Sequence, residues 1–449
     1  MKQKNVWLAI SVIFAVLVII AGLYFATDLF KSPEQLFYKH LTETSKMLGM
    51  ENYDEVMKQL QQQQQAVAEV EGEISAKITS NDEDVKEVAD ILGKGKIKYN
   101  VKTVGPEQKG QTDVTLNYNQ KDIVTLNFRK EKEQYGIKVA EAYDKYVSVE
   151  NNNLKALFQK LGVDASKVPN KIETIDYKEL WNIDKETRNH IKDTYTKIVQ
   201  ETIPSECYTI EQDTSVSDST TKIYKLTITQ EQLKNTAIKL FETLKTDDIT
   251  LELIINKYNI MMAPYAMMGM QTNEAQITKD DLKDEIEKSI QQLTKESASN
   301  VPALIITVHA AKSGESRIEI SMLENNKEVV KFDVRTINKQ ENKEIRINCL
   351  IEDTEINMTM INTDKNISAS IELKADETTI ELNMTAELKT AQNVTVESFT
   401  KENSVKLNDM TTQEMNTLVQ TIYTNVMKVL PQKMQLLGIN MMGPNLPTI

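Results

Sequence analysis

Arg317-Ile318-Glu319-Ile320-Ser321-Met322 and, after the polar join Glu324-Asn325-Asn326-Lys327, Val330-Lys331-Phe332-Asp333-Val334-Arg335 place an apolar side chain at every second position. Successive residues of a strand point to opposite sides of a sheet, so this period of two gives one oily and one wet face. The alternation continues through Ile345, Ile347 and Cys349, then Ile356, Met358 and Met360, then Ile367 to Leu373, then Ile380 to Leu388. Joins rich in Asn, Asp, Lys and Glu recur about every ten to fourteen residues, the spacing of an antiparallel up-and-down meander. A sheet oily on one face needs a cover. The sequence offers the segment opened by Thr411-Thr412-Gln413-Glu414, with Met415, Leu418, Val419, Ile422 and Val426 on one side of a helix and a kink or break expected at Pro431.

Upstream, Ile74/Ala76/Ile78, Ile97/Tyr99/Val101, Val114/Leu116/Tyr118, Val124/Leu126/Phe128 and Tyr135/Ile137/Val139 alternate with polar residues, which predicts a first meander over roughly residues 73–149. Helices are expected near 151–162 and 177–202, strands near 206–211 and 222–228, and a further helix from about 230. Met261-Met262-Ala263-Pro264 and Met441-Met442-Gly443-Pro444 each follow a helical stretch after a group of strands, an echo that points to two related lobes meeting near 269–278.

Val6 to Ala26 carries no charge, and at ~1.5 Å per helical residue it is long enough to cross a ~30 Å hydrocarbon core. Lys2 and Lys4 precede the run and Asp28 follows it, so the positive-inside bias leaves the N-terminus cytoplasmic and the bulk of the chain extracytoplasmic, on a single-pass cell-membrane anchor. Ser32-Pro33-Glu34-Gln35 then opens a helix, read as a stalk or as a helix laid on a domain. The expected organisation is a tip and transmembrane anchor over 1–30, a helical stalk over 31–66, a first α+β lobe over 67–270, and a second over 271–449 with the long meander and C-terminal helix. The fold class is α+β: an N-terminal transmembrane helix, then antiparallel meander sheets, each covered on one face by helices.

With 53 basic against 66 acidic residues, a net charge of -13 and no basic stripe interleaved with aromatics, the chain is not built for nucleic acid. Its two cysteines, Cys207 and Cys349, form no disulfide framework; they read either as one pair in an oxidising exterior or as buried thiols. His40, His190 and His309 stand in separate segments without ligand spacing, so no metal or cofactor is expected, and His309 reads as a satisfied sheet residue. Asn81-Asp82-Glu83-Asp84 lacks the glycine and terminal glutamate of a calcium loop and reads as a solvated turn; Gly93-Lys94-Gly95-Lys96 reads as a strand entry. Ser398-Phe399-Thr400-Lys401 matches Ser-x-x-Lys without the downstream elements of that chemistry. The reading is therefore not an enzyme, with an envelope hydrolase built on a carboxylate pair as the enzymatic alternative.

One segment stands apart chemically. Asn259 to Met270, expected as a loop or broken helix, crowds Met261, Met262, Met267, Met268 and Met270 into a short stretch. Methionine is flexible and polarisable, so these five are the candidate surface for a ligand or partner, with core filling and thioether binding of Cu(I) as alternatives.

A long one-faced antiparallel sheet with helices behind an N-terminal anchor is similar to the open half-barrels of LolA/LppX-type lipoprotein carriers, which implies a groove for acyl chains. The Gly- and Pro-poor, Lys/Asn/Ile/Thr/Glu-rich composition resembles that of single-pass envelope proteins of low-GC Gram-positive bacteria, clostridia among them. Two non-enzymatic readings result: a tethered module holding a lipid or lipoprotein, and an envelope scaffold with a packed core that meets a protein partner. Leu304, Ile306, Ile318, Ile320, Phe332, Val334 and the methionine segment discriminate them, a cavity favouring the first and tight packing the second.

Overall fold

The computed structural model describes residues 32–47, 66–162, 170–171, 179–180, 182–212, 222–267, 277–312, 315–339, 342–389 and 394–436. The apolar run Val6 to Ala26 lies outside them, as do Met268 and Met270; among the described residues no helix is long and apolar enough to cross a membrane. In chain order the elements are α1 (Pro33–Met47), β1 (Val67–Ser80), α2 (Glu83–Gly93), β2 (Gly95–Val104), β3 (Lys109–Tyr118), β4 (Lys121–Glu131), β5 (Gln134–Val139), β6 (Tyr143–Glu150), α3 (Leu154–Lys160) and α4 (Lys185–Thr202). There follow β7 (Tyr208–Gln212), β8 (Lys222–Ile228), α5 (Gln230–Thr246), α6 (Asp248–Met267), α7 (Lys279–Lys295), β9 (Ala303–Lys312), β10 (Glu315–Glu324), β11 (Lys327–Lys339) and β12 (Asn342–Ile351). The chain ends with β13 (Thr354–Asn362), β14 (Asn366–Ala375), β15 (Thr378–Lys389), β16 (Ser404–Lys406) and α8 (Thr412–Leu436). The class is α+β, dominated by antiparallel sheet.

Local chemistry accounts for many of the ends. Ser32 and Gln35 cap α1 reciprocally, Gln35 N donating to Ser32 Oγ at 3.2 Å and Ser32 N to Gln35 Oε1 at 3.3 Å. Thr229/Gln232 and Thr278/Asp281 repeat the box on α5 and α7, and Thr411/Glu414 does so on α8. Because glycine is scarce, asparagine supplies the left-handed residues of the tight hairpins: Asn325 (φ 52°) and Asn326 (φ 62°) join β10 to β11, and Asn119 (φ 50°) with Gln120 (φ 64°) joins β3 to β4.

The chain forms two compact units that interleave in sequence: 1–58, 175–263 and 271–361 make the first, and 59–174, 264–270 and 362–449 the second. In the first, the strands lie in the order β13-β12-β11-β10-β9-β8-β7. One rung across its apolar face reads Leu226, Ile306, Ile320, Phe332, Cys349. The cover is α1: Phe37 and Leu41 are fully buried in one core with Leu226, Ile306, Val308 and Ile318, which Ile198 and Val199 of α4 and Leu233 and Leu240 of α5 also enter. Tyr38 and Tyr208 share a buried hydroxyl hydrogen bond of 2.8 Å, and burial pushes the Tyr38 hydroxyl up to about 12. The C-terminal helix, expected to cover this meander, instead belongs to the second unit; the aromatic side of α1 fills the place.

In the second unit the order is β16-β6-β5-β4-β3-β2-β1-β15-β14, antiparallel between neighbours except for the short parallel β16/β6 pair. Its defining pair is β1 with β15, in register from Glu69↔Lys389 to Ser80↔Thr378, which joins the opening strand of the first meander to the closing strand of the second. Here α8 lies near strand ends, Asn425 Nδ2 donating to the Ala142 carbonyl at 2.8 Å and Lys433 Nζ to the Asp122 carbonyl at 3.4 Å. Three local expectations change. Residues 83–93 are helical, since Val85, Val88, Ala89 and Leu92 recur at helical spacing behind the Asp82 carboxylate. The α8 helix runs through Pro431 to Leu436. The methionine segment, expected as a loop or broken helix, is helical as far as Met267, since α6 continues through Pro264; residues 268–270 lie outside the described residues.

Candidate functional site

The second unit repeats the alternation of the first, and its rungs are wholly legible in the pairing. One reads Met384, Ile74, Ile97, Leu116, Val124; another reads Leu388, Val70, Val101, Thr112, Phe128, Ile137. Between them run Ile367, Ala386, Gly72, Tyr99, Val114, Leu126, Val139. These side chains share one face by strand geometry. They are not buried: Ile97 is 41 % exposed, Phe128 42 %, Met384 36 % and Leu388 46 %, with Leu116, Ile137, Ile367 and Leu382 in the same range. An isolated exposed leucine means little, whereas a contiguous apolar surface of this kind marks an interaction site.

Gly72 shapes the middle of that face. A Cβ there would stand 2.6 Å from the Tyr99 hydroxyl, so the missing side chain lets Tyr99 reach across β1 and donate to the Thr385 carbonyl at 3.0 Å. The polar tip of the aromatic ring is thereby spent on backbone. An open groove of about 690 Å³ also crosses these strands, but its lining is mainly of the opposite, charged face: Glu71, Glu73, Lys98, Asn100, Asp113 and Glu387 line it, with Gly72, Tyr99, Ile367 and Ala386 among the rest. Odd-numbered positions of β1 carry charge to the opposite face, where Lys96 meets Glu73 at 2.8 Å, Lys77 meets Glu381 at 3.4 Å, and Lys389 meets Glu71. A cross-paired charged face stays wet without effort.

The residues singled out from sequence fall elsewhere. Met261 (44 % exposed) and half-buried Met262 lie on α6, Met267 is its last residue, and Met268 and Met270 fall outside the described residues. Leu304, Ile306 and Ile318 are buried, Ile320 and Phe332 are partly buried against the same core, and Val334 is half-buried, so most of the apolar face they mark is packed in the first unit. Cys207 and Cys349 are both free and buried; burial pushes both thiols up, and Cys207 Sγ lies 3.5 Å from Gln232 Oε1.

The histidines are held in polar networks. His309 Nε2 lies 2.7 Å from Glu319 Oε1, whose carboxyl this contact holds below the ordinary range, and Arg317 forks onto Asp333 with both contacts at 2.8 Å. His190 Nε2 lies 2.8 Å from the Asp247 carboxylate, which also accepts from Tyr195 at 3.2 Å and from the Thr250 hydroxyl at 2.5 Å. Burial would raise the Asp247 carboxyl, but the Thr250 and His190 donors outweigh it and hold it below its ordinary value. This carboxylate pins α4 to the α5–α6 junction. Among the described residues no group of three or more His, Cys, Asp and Glu is arranged to hold a metal.

A family model described as "Family of unknown function (DUF6583)" matches residues 2–347. The chain belongs to this family. The match takes in the apolar run Val6 to Ala26 and everything from α1 into β12. No curated protein matches the chain.

The open face itself went unread in the sequence. The alternation names which side chains share a face; only the placement of helices decides whether that face is covered, and helix placement left no local signature.

Proposed function

We propose that this DUF6583 member is a membrane-anchored, extracytoplasmic, non-enzymatic protein whose second unit holds the acyl chain of a lipid or lipoprotein against its open apolar face. The carrying observation is the set of exposed rungs through Ile97, Leu116, Met384 and Leu388. Their side chains are hydrocarbon or thioether and bear no charge, so they match an aliphatic chain and offer nothing to an ionic partner. Each methylene taken from water onto such a surface contributes about 0.8 kcal/mol. The membrane supplies the ligand: Val6 to Ala26 is the proposed anchor, and residues 27–32 between it and α1 reach at most ~20 Å. The core packing of α1 thus ties the first unit close to the bilayer. That tightly packed core also supports a scaffold role for the first unit alone.

The test is a photoactivatable fatty acid supplied to cells making the full chain, with crosslinked peptides mapped by mass spectrometry. Labels on β1, β2 and β15, lost in an Ile97→Asp/Met384→Asp double variant that still folds, are the expected result. Labels confined to residues 6–26 would remove the reading.

A further inference from the structure

Arg129 is the only arginine of the second unit, and it is 6 % exposed. It rises from β4 on the charged face of the sheet, on the rung Gln111, Arg129, Gly136, Ser148. The segment after β15 crosses above it, held by Ser398 Oγ and Phe399 N, which donate to Glu131 at 2.9 and 3.0 Å. The Phe399 ring fits there because Gly136 is bare; a Cβ would lie 2.7 Å from it. The guanidinium carbon stands 4.2 Å from the Tyr146 ring centroid and 5.8 Å from that of Phe399. Nη2 approaches Gln111 Oε1 and Glu397 Oε2, each only at 3.4 Å, the guanidinium also interacts with the Tyr146 hydroxyl, and among the described residues Nε and Nη1 have no partner in good hydrogen-bond geometry.

A guanidinium removed from water with N–H groups unmet is costly, and aromatic faces above the plane do not satisfy donors that point within it. Such an orphaned buried donor is the signature of a missing acceptor. We infer that Arg129 anchors an oxyanion site: a carboxylate or phosphate oxygen of a ligand meets Nε and Nη1, and Phe399 is the door. Arginine suits the task because its donors lie in one plane and its charge persists at every physiological pH. Glu397, whose side chain is 79 % exposed, touches Nη2 loosely and yields to an incoming anion. Beyond Phe399 an open groove of about 560 Å³, edged by Gln134, Lys401, Ser404 and Lys406 and also by Asp409 and Glu414, gives the approach; Phe399 lines it and Arg129 lies behind that ring. The site faces away from the apolar rungs and stands whether or not they bind an acyl chain.

The full chain in nanodiscs, titrated with sodium acetate or inorganic phosphate against sodium chloride at matched ionic strength, tests this by calorimetry and thermal midpoint. One oxyanion should bind saturably and raise the midpoint, acetate naming a carboxylate ligand and phosphate a phosphate one. Glu397→Gln should tighten that binding several-fold by removing the competing carboxylate, Phe399→Ala should speed it, and Arg129→Lys should abolish it. Because Glu397 is exposed, its variant keeps the fold; no saturable response to either anion in both wild type and Glu397→Gln would overturn the site.

Discussion

In the first unit the rung Leu226, Ile306, Ile320, Phe332 packs into the core that α1 covers, with Leu226 fully buried, Ile306 1 % exposed and Ile320 and Phe332 partly buried; in the second, Met384, Ile74, Ile97, Leu116 carries the same pattern and stays partly in water. Burying one such side chain contributes roughly 1.5–3 kcal/mol, so the first unit collects on its sheet a stabilisation that the second leaves unused. Binary pattern therefore specifies which side chains share a face, and a separate element decides what that face does. Where α1 supplies the cover the result is a core, and where none does among the described residues the result is an exposed apolar surface.

The sharpest way to break this contrast is a charge in each face. Ile306→Asp should abolish cooperative unfolding of the first unit, while Phe37→Ala, which only removes the cover, should cost about 3–5 kcal/mol in urea denaturation. The next effect is Asp247→Ala, which leaves His190, Tyr195 and Thr250 donors unmet and should cost about 2–3 kcal/mol. Its pH signature has a definite sign. The folded carboxyl lies below its unfolded value, so its contribution is complete above the unfolded pKa of about 4 and is lost as pH falls through the folded value. Asp247→Asn should accordingly flatten the acid limb of a stability profile. Smaller still, Ile97→Asp/Met384→Asp in the second unit should shift stability by less than about 1 kcal/mol while reducing fluorescence of a bound apolar dye, since these positions are already in water. A large destabilisation there would show that the face is a core after all. Least of all, Arg317→Lys loses the fork onto Asp333 and should cost about 0.5–1 kcal/mol.

Much of the fold was legible because its signals are local. The alternation around Ile318, Ile345 and Ile380 located strands, Ser32 and Thr411 located helix starts, and the Asn325-Asn326 pair marked a hairpin. The loss of α2 came from reading Asp82, Glu83 and Asp84 as a solvated turn when they are the acidic start of a helix, where negative charge favours the exposed N–H groups. The loop or broken helix expected around Met261 is instead helical to Met267, Pro264 being accommodated close to the end of α6. For the site, sequence offered methionines as the conspicuous chemistry, whereas exposure singles out Ile97, Leu116 and Met384, ordinary sheet residues whose distinction is what fails to touch them. Arg129 was visible only as a rare residue type; its unmet donors depend on Phe399 arriving from 270 positions downstream, as the Phe399 contact to Glu131, 268 positions away, shows.

The pairing of β1 with β15 sets a timetable as well as a shape. Lys77 and its partner Glu381 are 304 positions apart. At roughly 5–20 residues per second of synthesis, one edge of β1 waits about 15–60 s for its neighbour to exist. Throughout that interval a strand with unpaired backbone groups and an oily side is exposed to every other nascent chain. A holding chaperone that escorts the early half should therefore raise the yield of this protein more than any stabilising substitution.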